Sequence, residues 1–519
     1  MFPVLFNSIE FIFAFFPIAV LVFFGIARFS HMLAAGWLTL VSLFFYGWWN
    51  PPYVALLLAS IAFNYASGYH LARLVGNDRR DLAKPLLVAA VTANLVLLGY
   101  YKYANFFFDI TNVVTGSDLR LGRVVLPLGI SFFTFTQIAF LVDAYRGYAR
   151  EYNPVHYGLF VSYFPHLIAG PVLHHKEMMP QFQQASTYRV NWEDVAVGLT
   201  IFFIGLFKKV VIADGVAPYA SPIFANPGQP DLLAAWGGAL AYTFQLYFDF
   251  SGYSDMAIGL SRVVGVKLPL NFDSPYKAVN IIEFWRRWHM TLSRFLRDYL
   301  YFSLGGNRRG PVRRYLNLML TMVLGGLWHG AGWTFVMWGT LHGLYLVINL
   351  LWRVLRQRAG HALERETTLG RGTARLITFV AVVVGWVFFR AASFTDAVAI
   401  LRGMAGLNGV SVPAGIAAHL GSVHGVLQGW GVAFTLGGGS RFLLQYAWIV
   451  VLLPIVLFAP NTQQLLGRFQ PALDFVREAP QSAHLLWRPS GAWAAFVAVL
   501  TVAGLLSLSR ISEFLYYQF

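Results

Sequence analysis

Apolar positions along this chain neither alternate nor recur at the spacing of a half-buried helix; they run on. Stretches long enough to cross about 30 Å of hydrocarbon lie near 11–27, 33–49, 52–71, 85–100, 124–143, 195–213, 233–259, 375–390, 445–459 and 491–508. A further run, 315–352, is far too long for one span. It breaks at Gly325-Gly326 and again at Gly330-Ala331-Gly332, so it reads as two helices meeting at a glycine kink. The stretch 156–174 is apolar but contains Pro165, Gly170 and Pro171. That pattern predicts a re-entrant segment with irregular backbone buried in protein rather than facing lipid. The expectation is an all-α polytopic membrane protein with about 11–12 spans plus re-entrant and interfacial helices.

Composition agrees. Of 519 residues, 57% are hydrophobic and only 12% are charged, about half of what a soluble domain carries. Mean hydropathy is +0.58. A soluble enzyme, a coiled coil and a disordered chain are excluded. The chain has no cysteine, which removes disulfides, thiolate metal sites and a cysteine nucleophile. No metal site is expected. The net charge of +15 is read as Lys and Arg on cytoplasmic loops facing anionic lipid, since no nucleic-acid motif accompanies it.

The basic residues orient the spans. Arg28, the 73–84 loop, Arg146 with Arg150, the 353–375 loop and the 461–490 loop recur on one side. The positive-inside rule makes that side cytoplasmic and puts both termini outside. MFPVLFNSIE has no Lys or Arg before its apolar run, so it lacks the basic start of a cleaved signal and is read as part of a retained first span. Arg390 breaks the charge pattern and is expected to pair with a carboxylate or line a cavity.

The segment 281–302, IIEFWRRWHMTLSRFLRDYLYF, predicts one amphipathic helix at the cytoplasmic interface. Ile281, Phe284, Trp285, Trp288, Leu292, Phe295, Leu296 and Tyr299 share one arc; Glu283, Arg286, Arg287, Arg294, Arg297 and Asp298 share the other. His289 falls at the edge of the apolar arc. It is either an interfacial histidine packed beside Trp or an imidazole turned into a cavity, with arginines nearby to clamp an anionic cofactor.

His329 sits in LTMVLGGLWHGAGWTFVMWGTLHG, with no charged residue between Arg314 and Arg353. An ionisable group placed there faces a cavity, a reaction path or a partner helix. Burial between Trp328 and Trp333 would leave it uncharged and able to act as a base. His342 is read as a core histidine without a catalytic role. Asp249 and Asp255 either line a cavity or bond to neighbouring helices. Their spacing puts them on opposite faces of a helix, so they are not an acid/base pair. No H-E-x-x-H, P-loop or G-x-S-x-G pattern occurs.

An ordered series of motifs then stands out: LPLGISFFTFTQIAFLVDAYRG (126–147), YFPHLIAGPVL (163–173), IGLFKKVVIAD (204–214), YFDFSGYSDMAIGLSRVVG (247–265), FWRRWHMTLSRFLRDYLYFSLGGNRRG (284–310), GGLWHGAGWTFVMWGTLHG (325–343) and GWVFFRA (385–391). Together, and down to the aromatic FLYYQF at the C-terminus, they resemble the membrane-bound O-acyltransferase (MBOAT) family. The resemblance is greatest to its bacterial branch containing the alginate O-acetylation membrane subunit, with the teichoic-acid D-alanylation subunit more distant. His174-His175 after GPVL departs from that pattern.

The resemblance implies one membrane-embedded domain over 1–519: N-terminal helices to 123, a core over 124–390 and a C-terminal part from 391. It implies a ring of helices around a thinner centre where a cytoplasmic tunnel meets an outer funnel. His329 matches the family's intramembrane catalytic histidine and His289 its second signature histidine. The implied activity is inner-membrane O-acetyl transfer from a cytoplasmic thioester, acetyl-CoA, to an extracytoplasmic polysaccharide, directly or through a periplasmic esterase-like partner. Arg286, Arg287, Arg294 and Arg297 are the expected donor-side contacts. No permanently bound cofactor is implied. D-alanyl transfer, lipid modification and a non-enzymatic transporter are the rival readings.

Overall fold

The computed structural model describes residues 5–120, 122, 124–168, 170–360, 367–473, 485–508 and Leu515. The C-terminal aromatic motif, apart from Leu515, and Arg477 of the 461–490 loop lie outside them. The fold is helical, as the apolar runs predict, and it is that of a multi-pass membrane protein. Among the described residues, seven helices are long and apolar enough to span a bilayer: His31–Trp49, Pro52–Gly76, Arg80–Thr115, Trp192–Ala225, Trp333–Arg358, Thr368–Arg390 and Ser440–Phe458. Shorter apolar helices occupy Phe11–Ala27 and Gly491–Ser507. The expected spans near 124–143, 233–259 and the first half of 315–352 are also helices, Ile130–Arg146, Leu232–Val263 and Gly310–His329. They fall outside the seven because they are shorter or more polar.

The chain forms two compact units. The first comprises Met1–Phe207, Ser251–Asn271 and Thr462–Gln518. Polar side chains tie its helices together: Asn64 and Asn94 exchange amide hydrogen bonds of 3.0 and 2.7 Å, and Gln137 Nε2 donates to Ser60 Oγ at 2.9 Å. Such bonds are worth about 0.6–2 kcal/mol between membrane helices, where the hydrophobic effect gives little help. Glycine does the rest. A Cβ on Gly198 would lie 2.6 Å from the carbonyl oxygen of Gly259, and one on Gly205 would lie 2.6 Å from that of Gly252. The two backbones therefore touch along this line. The 156–174 stretch is built as expected: short helices Pro154–Ser162 and Phe164–Leu167, almost wholly buried in protein.

The second unit comprises Lys208–Phe250 and Phe272–Asn461, with Phe519. Its centre is a hairpin of the Gly310–His329 and Trp333–Arg358 helices. Gly326 faces Gly339 and the Phe335 carbonyl, while Gly343 faces Met319, an antiparallel order. The kink expected at Gly325-Gly326 does not occur. Those glycines lie inside a continuous helix, and at Gly326 the missing Cβ admits the partner backbone. Chain reversal happens at Gly330–Gly332, where the φ angles of Gly330 and Gly332, −161° and −169°, are simply extended. Past residue 391 the unit adds a short parallel pair of strands, Val410–Pro413 against Val432–Thr435, with Val410 opposite Val432. Apolar periodicity gave no hint of these four-residue strands.

Candidate active site

The 281–302 segment is not one helix. Asn280 caps its start by accepting from the Glu283 N–H at 2.9 Å, but the helix stops at Arg287. Trp288 is extended, and His289 takes a left-handed conformation, φ 43° and ψ 53°. A second helix, Met290–Phe295, then leads into a wider turn over Leu296–Tyr301. A non-glycine residue held there costs about 1–3 kcal/mol and persists only where its surroundings impose it. Trp288 supplies that constraint, packing 4.7 Å from Trp386, 5.0 Å from Phe272 and 5.7 Å from Phe284 between ring centres. The apolar arc of the segment packs into protein. Ile281, Phe284, Trp288, Leu292, Phe295 and Leu296 are buried in protein. The break turns His289 fully inward, its exposure 0%, with Phe250 edge-on at 4.8 Å.

His329 is the last residue of its helix, at the turn of the hairpin. Its ring is packed by Trp328 at 4.9 Å, Trp338 at 5.1 Å and Phe389 at 5.1 Å. Trp333, the expected second wall, is 61% exposed. The ring of His289 stands 6.2 Å from that of His329. Two histidines 40 positions apart in the chain thus share one aromatic pocket. At this separation one imidazole can act on a hydroxyl while the other touches the group being attacked.

The four arginines are less uniform. Arg287 is held by Glu283 at 3.0 Å and by Asp273 at 3.4 Å, and Arg297 by Asp298 at 2.7 Å. Arg286 is exposed and has no carboxylate partner among the described residues; Arg294 is half-buried. Asp249 and Asp255 each bond to neighbouring side chains. Asp249 pairs with Lys209 at 2.6 Å, and Asp255 accepts from Thr462 Oγ1 and Gln463 Nε2 at 2.6 and 3.0 Å. His174 lies 3.7 Å from Asp143, and His175 Nε2 lies 3.1 Å from Glu151.

Sequence reasoning passed over one feature and named another without its partners. One is Lys209, buried and bridging Asp214 at 2.8 Å as well as Asp249. Its signal was available: a lysine near the end of an apolar run has to be paired. The other is His342. It is fully buried, and the indole N–H of Trp285 donates to its Nδ1 at 3.2 Å. Its ring is 4.8 Å from Trp338, which also packs on His329.

Two buried imidazoles thus share an uncharged aromatic pocket on a scaffold whose helices are long enough to cross a bilayer, an arrangement suited to proton transfer at a reacting group. The family model of the membrane-bound O-acyltransferases matches residues 19–388. The chain belongs to that family and is an O-acyltransferase. It is 45% identical over 439 residues to the peptidoglycan O-acetyltransferase of Helicobacter pylori, covering 79% of this chain and 81% of that one. It is 43% identical over 392 residues to a probable alginate O-acetylase of Azotobacter vinelandii, covering 74% and 75%. The teichoic acid D-alanyltransferase of Streptococcus thermophilus is 28% identical over 284 residues, covering 50% and 68%.

Proposed function

We propose that this enzyme moves acetyl from acetyl-CoA on the cytoplasmic side of a bacterial inner membrane to an extracytoplasmic polysaccharide such as alginate, directly or through a periplasmic esterase-like partner. The observation that carries the reading is the 43–45% identity to relatives named as O-acetylating enzymes, spread over about three quarters of the chain. The D-alanyl relative matches at 28% and over half the chain. The basic loops would be cytoplasmic and both termini periplasmic.

His329 serves as general base. Its imidazole takes the proton of an acceptor hydroxyl, whose oxygen attacks the thioester carbonyl carbon. The carbon–sulfur bond then breaks, and the leaving thiolate of CoA takes the proton back from the His329 imidazolium, which restores the neutral base. General-base assistance of this kind is worth about 10²–10⁴-fold. His289, with its ring 6.2 Å away, orients the donor. Arg286 steers the phosphates of CoA, supported by its exposure and lack of a carboxylate partner among the described residues; Arg287, Arg294 and Arg297 add positive field around it.

The test is transfer of labelled acetyl from acetyl-CoA by purified protein, wild type against His329→Ala, with polysaccharide or the periplasmic partner as acceptor. Transfer by wild type and none by the variant supports the reading. Wild type that uses only a D-alanyl thioester, or that cleaves no thioester at all, refutes it.

A further inference from the structure

From 403 to 440 the chain carries no charged residue, yet this stretch is not a span. A soluble domain spends about a quarter of its residues on charge. The stretch folds as the two short strands described above, with helices Ala414–Ala417 and Ser422–Gly429 between them. Its near end is tied to the start of the Leu232–Val263 helix. The Leu232 N–H donates to the Gly409 carbonyl at 3.0 Å, Asn408 Nδ2 to the Pro230 carbonyl at 2.9 Å, and Ser411 Oγ to Asp231. Its far end runs directly into the span Ser440–Phe458. The piece therefore sits where membrane helices begin, at the level of the bilayer surface.

Its apolar side chains face outward. His424 packs the Ser422–Gly429 helix onto the second strand, its ring 4.3 Å from that of Phe434. A different face carries Val423, Val426 and Trp430, at i, i+3 and i+7; all three are exposed, Trp430 by 79%. Leu436 is fully exposed, and the chain between it and Ser440 can reach at most about 14 Å. The outward apolar surface goes on into the span, where Leu443, Leu444, Val450 and Val451 are exposed on one side. Arg441, the first charge met, donates to the Pro218 carbonyl at 2.6 Å. An exposed apolar patch marks a partner or a membrane, and three features here favour lipid. Trp belongs at headgroup level, the patch continues onto a lipid-facing helix, and the stretch offers no charge to a charged polymer or to water.

We propose that residues 403–439 form an interfacial foot. Val423, Val426, Trp430 and Leu436 seat in the headgroup–acyl boundary of the bilayer, on the membrane face where the Leu232 and Ser440 helices begin. An apolar helix face in that boundary lies about 5–10 Å deep. The partner is the lipid surface itself, and the seat does not depend on which acyl group the enzyme moves.

Because the chain has no cysteine, a single introduced one labels a unique position. Full-length Val426→Cys and Leu436→Cys, each carrying a nitroxide, are placed in vesicles of equal parts phosphatidylethanolamine and phosphatidylglycerol. Val450→Cys, on the exposed side of a span, is the lipid reference, and Asp118→Cys, in an exposed charged loop, is the water reference. Power saturation compares collisions with oxygen, which partitions into lipid, and with a nickel chelate, which stays in water. The expected result is an oxygen-to-nickel ratio at both foot labels several-fold above that of the Asp118 label and towards that of Val450. A ratio equal to the Asp118 value overturns the proposal, because the foot then stands in water. Labels shielded from both reagents, or dipolar broadening of their spectra, overturn it as well, since protein, another part of the chain or a second copy, then covers the patch.

Discussion

Lys209 Nζ lies 2.6 Å from Asp249 Oδ1 and 2.8 Å from Asp214 Oδ1, and all three side chains are at least nine-tenths buried. Removing one partner of a buried ion pair strands the other charge, at about 3–5 kcal/mol. Lys209→Met is therefore expected to lower the detergent melting temperature by many degrees, because it leaves two carboxylates facing each other. Adding Asp249→Asn to it should recover part of the loss. A Lys209→Met protein that melts like wild type would mean the cluster contributes nothing to stability.

The two site histidines separate by substitution. Gln can replace a hydrogen bond of His329 but cannot act as a base at neutral pH. His329→Gln should leave expression, melting and donor binding near wild type and reduce acetyl transfer about 10²–10⁴-fold. His289→Ala should reduce transfer and weaken donor binding together. Full glycan acetylation by His329→Gln at matched protein level would make that histidine structural.

Charge steering of the donor is expected to be centred on Arg286. Arg286→Gln should raise the KM for acetyl-CoA several-fold with little change in kcat, and the difference from wild type should shrink at high salt, because exposed charges are screened over about 8–10 Å. Arg297→Gln, whose guanidinium already holds Asp298, should change KM less. Equal effects at both positions would point to a diffuse field instead.

Glu151 gives a pH dependence of stability in a loop between helices. Burial alone would raise its carboxyl. The His175 hydrogen bond, the Asn153 backbone N–H and the charges of His175 and His156 outweigh burial and hold it below the usual glutamate range. A carboxyl depressed by folding adds stability above its unfolded pKa and loses it as pH falls through the folded value. Wild type should therefore be more stable than Glu151→Gln at neutral pH, and the gap in melting temperature should close below about pH 4. A gap that widens in acid would reverse the assignment.

The apolar runs revealed nearly every long helix because a bilayer span imposes one requirement, length of apolar chain, that sequence displays directly. They also exposed His329, whose polarity is conspicuous in such a run. What they hid depends on contacts. The break at Trp288-His289 is imposed by Trp386 and Phe272, rings distant in sequence, so helical projection carried the segment straight through it. Trp338 and Phe389 wall His329 in space although they lie 9 and 60 positions away in the chain, so sequence proximity did not point to them. Gly325-Gly326 looked like a hinge because glycine weakens helices, but the same missing side chain suits close packing, and at Gly326 the partner backbone decides between the two. Lys209 went unread because its pairing with Asp249 joins two separate motifs.

The left-handed backbone at His289 has a consequence for anyone seeking a hardier version of this enzyme. At φ 43° the position suits glycine, or asparagine, better than an imidazole. A campaign that ranks variants by thermal tolerance alone would be drawn to replace this residue, and each apparent improvement there would carry away a side chain of the proposed site. Thermostabilisation of this scaffold needs its activity screen run first.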